Sequence, residues 1–121
     1  MFQVMGEGAT LAERARAAAD LLIGILTRTT NLERALREGA ASDPVLGEIY
    51  AVEAANRRID DERGMKLVLR RPVTQKEIDL FWVQTSPEVY ELLVGRSGWT
   101  PEQFGEWIIE LIMALDTGEP R

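Results

Sequence analysis

Apolar residues recur along this chain at intervals of three and four, the spacing that predicts amphipathic α-helices. Four sites match the S/T-x-x-E/Q capping box that begins many helices: Thr10/Glu13, Thr30/Glu33, Thr74/Glu77 and Thr100/Gln103. Three cap residues stand directly before a proline, in Asp43-Pro44, Ser86-Pro87 and Thr100-Pro101. The sequence therefore predicts six helices, near residues 11–28, 31–41, 44–69, 75–85, 87–95 and 101–115.

The predicted fold class is all-α, because no stretch alternates apolar and polar residues for long enough to indicate a strand. A chain of 121 residues suits one domain. We therefore expect a single helical, multi-helix bundle over 10–121. Residues 1–9 contain two glycines and no helical pattern, so we expect a flexible N-terminal tail there.

The third predicted helix carries an apolar stripe with two polar interruptions. Steps of three and four give Val45, Ile49, Val52, Asn56, Ile59, Arg63 and Leu67. If the stripe is buried, an unpaired amide or guanidinium group in it costs on the order of 1–3 kcal/mol. Asn56 and Arg63 would then either line a cavity and meet the polar end of a ligand, or be satisfied by neighbouring protein groups such as Asp60. The pattern leaves both interpretations open.

The last helices carry more large apolar side chains than one buried face requires. The apolar arc of the final helix covers roughly 200°, about twice that of a surface helix. Gly105 lies inside this arc and would let another backbone come close. The excess surface predicts a symmetric homodimer, unless the chain's own third helix covers it. The candidate dimer-interface residues are Tyr90, Val94, Gly105, Ile108, Ile109, Ile112 and Met113.

The composition excludes several kinds of site. The formal charge is −6 and the basic residues are scattered, so we expect no DNA binding by this chain alone. With no Cys and no His, disulfides, thiol nucleophiles, imidazole bases and the usual zinc sites are ruled out. No secretory signal and no membrane span can be identified, which predicts a cytoplasmic protein without a membrane partner.

Nothing in the sequence indicates catalysis. The phosphate-binding, dinucleotide-binding and nucleophile-elbow motifs are absent, and the serines have no histidine to activate them. The adjacent acids Asp60, Asp61 and Glu62 point to different sides of a helix, where such groups are usually solvated. We therefore expect no enzyme activity, no cofactor and no metal site, and we keep a carboxylate enzyme only as a third hypothesis.

The segment DLFWVQTSPEVYELLVGRSGWTPEQFGEWI, residues 79–108, resembles the closing region of the effector-binding domain of TetR-family transcriptional regulators. The segments LERALREGAASDPVLGEIYAVEAANRR and TLAERARAAADLLIGIL are similar to the middle helices and the first helix of that domain. The resemblance begins near Thr10. Only about ten residues stand where the family's helix-turn-helix domain would be, so its DNA-binding activity is not carried over.

The resemblance implies an all-α domain whose last two helices form a dimeric four-helix bundle, with a pocket for a small, largely apolar effector. By position it implies that the following residues line the pocket: Leu22, Leu26, Val52, Asn56, Ile59, Phe81 and Trp82. Arg63 joins these candidates as the second polar interruption. The leading hypothesis is a ligand-sensing and dimerisation domain. The alternative is an interaction protein without a DNA-binding domain that heterodimerises with a full-length repressor.

Overall fold

The computed structural model describes residues 10–115, which form five α-helices and contain no strand. The helices are α1 (Leu11–Ala40), α2 (Pro44–Leu69), α3 (Gln75–Gln84), α4 (Pro87–Tyr90) and α5 (Pro101–Leu115). A π-helical segment, Glu91–Arg96, continues α4. This architecture confirms the predicted all-α multi-helix fold. The expected tail at 1–9 lies outside the described residues.

Helix α1 runs without a break through the boundary predicted between residues 28 and 31, so the prediction of two helices there was wrong. The hydroxyl of Thr30 donates to the carbonyl of Leu26 at 2.6 Å instead of capping a new helix. Glu33 accepts a hydrogen bond from Arg37 at 2.8 Å, one turn further on. In a continuous helix the backbone N–H groups are already paired, so a Thr-x-x-Glu pattern has nothing to cap.

The other predicted helix starts are present. Thr10 and Thr74 each form the reciprocal capping box. Thr100 does the same with Gln103, through bonds of 2.8 and 3.1 Å. Asp43 and Ser86 cap the helices that begin at the following prolines. Helix α2 begins and ends at the predicted residues, and α3 ends one residue early.

The core forms around the N-terminal half of α1, where small side chains let other helices come close. Ala15, Ala18 and Ala19 are each at most 2% exposed. Leu26 of α1 and residues from every other helix complete the buried apolar core: Met65, Val68, Leu69, Ile78, Phe81, Tyr90, Phe104, Ile108 and Ile112. The buried Arg14 donates through Nε to the carbonyl of Val68 at 2.7 Å. This bond joins the start of α1 to the end of α2.

Helix α5 packs its apolar arc against its own chain. Phe104 and Ile108 are fully buried, and Ile112 is 3% exposed. A Cβ atom at Gly105 would lie 2.6 Å from Cδ1 of Ile23, so the glycine permits close contact with α1. The covering helix is therefore α1, and not the third predicted helix that the sequence offered as the alternative to a partner.

This contact predicts the effect of replacing Gly105. Leucine there would have to displace Ile23, and we expect the free energy of unfolding to fall by about 1–3 kcal/mol. Alanine should cost much less, because the end of the Ile23 side chain can rotate and alanine favours the helix by about 1 kcal/mol. Urea unfolding of both variants checks this. A leucine variant with unchanged stability would contradict the packing of α1 on α5.

Candidate ligand-binding groove

A groove of about 900 Å³ opens between α1 and α2 and is closed on its deep side by the segment from Trp82 to Val89. It follows α1 from Leu22 to Leu36 and α2 from Ile49 to Asp61, each about 20 Å at 1.5 Å per residue. We call it the α1–α2 groove. The buried residues Thr85, Ser86 and Pro87 lie at its deep side.

The two walls of the groove differ in chemistry. The α1 wall is mainly apolar and the α2 wall mainly polar. The α1 wall presents Leu22, Ile25, Leu26, Thr29, Leu32, Glu33 and Leu36. The α2 wall presents Ile49, Tyr50, Glu53, Ala54, Asn56, Arg57, Asp60 and Asp61. Leu32 and Ile49 are 65% and 43% exposed, so apolar surface faces the opening. This arrangement suits an occupant with one apolar and one polar side.

A polar cluster joins α2 to the end of α3. Arg57 donates to the carbonyl of Trp82 at 2.7 Å and lies 3.3 Å from the carboxylate of Asp61. The hydroxyl of Thr85 lies 3.3 Å from the same Asp61 oxygen and 2.7 Å from the carbonyl of Phe81. These bonds fix the deep side of the groove against α2.

Burial governs the charges in this cluster. It raises the pKa of Asp61 to about 7, although Arg57 and the Thr85 hydroxyl both act to lower it. Asp60 adds to the rise and Arg58 opposes it. Burial likewise lowers the pKa of Arg57, which the charge of Asp61 partly offsets. Asp61 therefore takes up and releases a proton near neutral pH, inside a site that is open to a ligand.

Trp82 connects α3 to α2 beside the polar cluster. Its indole N–H donates to the carbonyl of Ala54 at 3.3 Å. The guanidinium groups of Arg57 and Arg58 lie 5.0 and 5.4 Å from its ring centroid, within the range of cation–π attraction. Trp82 is thus both part of the wall and a structural contact.

The opposite end of the groove is also charged. Tyr50 donates to Glu88 at 2.9 Å, and Arg37 pairs with Glu33 at 2.8 Å and with Glu88 at 3.8 Å. Burial and the charge of Glu88 raise the pKa of Glu33. Burial and the bond to Glu88 raise the pKa of Tyr50 to about 12, so the phenol stays protonated as a donor. These contacts join α1, α2 and α4.

The structure brings four of the eight predicted pocket residues together. Leu22, Leu26, Asn56 and Trp82 line the groove. Phe81 lies in the core at 5% exposure and does not line the groove. Three residues of the α2 stripe, Val52, Ile59 and Arg63, do not line the groove and are exposed.

The premise that the α2 stripe is buried was wrong. Val52 and Ile59 are 57% and 56% exposed, and Asn56 and Arg63 are exposed as well. When a helix carries apolar residues on two faces, its sequence does not show which face packs against the core. The two polar interruptions therefore need no buried partner.

Four of the seven predicted interface residues pack inside the subunit. Tyr90, Gly105, Ile108 and Ile112 are buried within one chain and cannot reach a partner in this arrangement. Val94 and Ile109 are half-buried, and Met113 is 38% exposed. An interface at this end of the molecule stays a prediction that rests on these three residues.

Sequence reasoning missed the polar cluster. Asp61 was interpreted as a solvated helix carboxylate, yet its side chain is only 12% exposed. The four-residue spacing of Arg57 and Asp61 indicates an ion pair. Its burial depends on where Thr85 and Trp82 pack, which the spacing does not give.

No family model, curated protein or solved structure matches this chain. Within residues 10–115, no group of three or more His, Cys, Asp or Glu side chains is placed to hold a metal ion. In the same range, no helix combines the length and apolar character needed to cross a membrane. The TetR resemblance stays a prediction.

The buried Asp61 predicts how stability depends on pH. Its pKa is about 7 in the fold against an ordinary value of 3.8, so the folded state binds the extra proton between these limits. The free energy of unfolding should therefore fall as pH rises, on the order of 2 kcal/mol from about pH 5 to 7. Asp61→Asn should remove most of this slope in urea unfolding.

The matched control is Asp20→Asn, which removes an exposed carboxylate on α1. It should keep the slope of the wild type. Glu33 contributes with the same sign as Asp61, because its pKa is also raised. Glu77 makes the free energy of unfolding rise with pH, but only at lower pH, since bonding to Arg71 lowers its pKa to about 2. If Asp61→Asn kept the wild-type slope, the pH dependence could not be assigned to Asp61.

Proposed function

We propose that this chain is a ligand-binding domain whose α1–α2 groove takes a small amphipathic molecule. The observation that carries the proposal is the contrast between an apolar wall on α1 and a polar wall on α2. Its volume of about 900 Å³ falls within the range of small-molecule sites, roughly 300–1,000 Å³. The ligand's hydrocarbon part lies along α1 and its polar part faces α2.

The polar wall offers several groups to such a ligand. The Asn56 side chain lines the groove, is exposed, and has no hydrogen bond to any other residue in the range 10–115. It can both donate and accept. Glu53 and Asp60 add acceptors. A ligand with hydroxyl, amide or amine groups meets these side chains without disturbing the Arg57–Asp61 pair.

A role in transcription regulation is part of the proposal on the strength of the TetR resemblance alone. The net charge of −6 supports a domain that senses a molecule without binding DNA by itself. The homodimer belongs to the same proposal, with Val94, Ile109 and Met113 as the accessible residues at the end of the molecule where the resemblance puts the interface.

A second candidate is an interaction protein that heterodimerises with a full-length repressor. The observation that favours an interaction role is the exposed apolar surface of α2, because α1 covers most of the apolar arc of α5. The groove and the outer face of α2 are adjacent surfaces, because Ile49 and Asn56 belong to both.

Filling the groove tests the ligand-binding proposal. Ala54 lines the groove and only its backbone carbonyl bonds to Trp82, so Ala54→Phe should add bulk without removing a contact. We expect the neutral fluorescent probe N-phenyl-1-naphthylamine to bind the wild type saturably. Its dissociation constant should rise at least tenfold in Ala54→Phe.

The matched control is Ala55→Phe, one residue further along α2, exposed and outside the groove. Its dissociation constant should stay within twofold of the wild type. Circular dichroism and urea unfolding check that both variants fold. Equal affinity in all three proteins would place the probe elsewhere and overturn the groove as the binding site. No saturable binding to the wild type would overturn it as well.

A further inference from the structure

The side of α2 that faces away from the core carries an unpartnered apolar stripe. Four apolar side chains in it are 43–64% exposed: Val45, Ile49, Val52 and Ile59. The exposed polar residues Asn56 and Arg63 complete the row. We call these six residues the outer stripe. The core residues of α2, Gly64, Met65, Val68 and Leu69, lie near its C-terminal end on another face.

The spacing of the outer stripe is that of a coiled-coil seam. The steps from Val45 to Arg63 are four, three, four, three and four residues, which is the alternation of heptad positions d and a. Val45, Val52 and Ile59 occupy d positions. Ile49, Asn56 and Arg63 occupy a positions. A single Asn at an a position is a known device for fixing the register of a helix pair, at some cost in stability.

Four of the six residues that flank this seam are acidic, two on each side. Positions e and g place Leu46, Glu53 and Asp60 along one edge and Glu48, Ala55 and Glu62 along the other. A second copy of α2 would bring the same four carboxylates against them in either orientation, and like charges at these positions repel. The net charge of −6 adds to that repulsion. The seam is therefore matched to a partner of opposite charge.

We propose that the outer stripe of α2 docks an amphipathic helix from another protein, with an apolar seam flanked by Lys and Arg. Apolar side chains of the partner helix pack between Val45 and Ile59, a distance of about 21 Å at 1.5 Å per residue. Its basic flanks pair with Glu48, Glu53, Asp60 and Glu62. A polar side chain of the partner lies opposite Asn56 and sets the register.

The outer stripe and the α1–α2 groove are adjacent and share residues. Val45, Val52 and Ile59 do not line the groove, whereas Ile49, Asn56, Glu53 and Asp60 do. Val52 and Ile59, the residues changed to test docking, lie outside the groove, so failure of helix docking and failure of ligand binding are distinguishable.

The test uses two labelled peptides of 21 residues, three heptads each. Both have Ile at a, Leu at d and one central Asn at a. One has Lys at every e and g position and the other has Glu, so that neither pairs with itself. Fluorescence anisotropy in about 0.1 M salt measures their binding to the intact chain. We expect saturable binding of the Lys peptide, at least tenfold tighter than that of the Glu peptide.

Protein variants locate the bound peptide. Val52→Asp with Ile59→Asp changes two exposed residues of the outer stripe and should weaken the Lys peptide at least tenfold. The control pair, Leu80→Asp with Leu92→Asp, adds the same charge at two other exposed apolar residues and should stay within twofold. Glu48→Lys with Glu53→Lys should remove most of the preference for the Lys peptide, because two basic residues then balance the two acids that remain at the flanks. Circular dichroism checks folding, and Val45→Asp alone replaces the double variant if that one does not fold.

Four outcomes would overturn the proposal. The first is no saturable binding of the Lys peptide, and the second is equal weakening by the control pair. The third is loss of peptide binding in Leu32→Asp, which changes the groove and not the outer stripe. The fourth is a wild-type dimer in sedimentation that Val52→Asp with Ile59→Asp dissociates, because the occupant would then be a second copy of this chain.

Discussion

The length of α1 is the constraint on which the rest of the structure depends. Thirty residues make a helix of about 45 Å, whereas the 15 residues of α5 cover about 22 Å of it. Around Ala19 and Ile23 the helices come close enough for α5 to bury its apolar arc. Beyond that point α2, α4 and the π-helical segment accompany α1. The groove lies along the part of α1 that α5 is too short to cover.

The polar cluster shows how a small helical domain keeps such a space open. A groove lined only by apolar residues would tend to close, because burying its walls against each other is favourable. Arg57, Asp61 and Thr85 instead fill the deep side with groups that bond to one another and to the backbone. The cost is a buried carboxylate, which the fold accommodates by holding its proton near neutral pH. The same residues thus form the deep side of the groove and supply its titratable group.

Most of the helices could be predicted from local sequence, because caps and prolines act over a few residues. The helix start predicted at Thr30 was wrong because the signal is local. A Thr-x-x-Glu pattern is identical inside a helix and at its start, and only the continuing backbone hydrogen bonds distinguish the two. The inward direction of α2 could not be predicted either, since Val52 and Ile59 look like core residues until the opposite face is seen to pack. The burial of Asp61 arises from contacts with residues more than twenty positions away, beyond the reach of any local pattern.

The unequal packing along the α1–α2 hairpin also bears on how the molecule moves. Near Arg14 and Val68 the two helices are held by the core and by a buried bond from a side chain to the backbone. Around Thr29 and Leu32 one side of α1 faces the open groove. Local opening needs less free energy where fewer apolar contacts are broken. We therefore expect backbone amides of the C-terminal half of α1 to exchange with solvent sooner than those near Arg14, and a molecule bound in the groove to slow that exchange by stabilising this part of the helix.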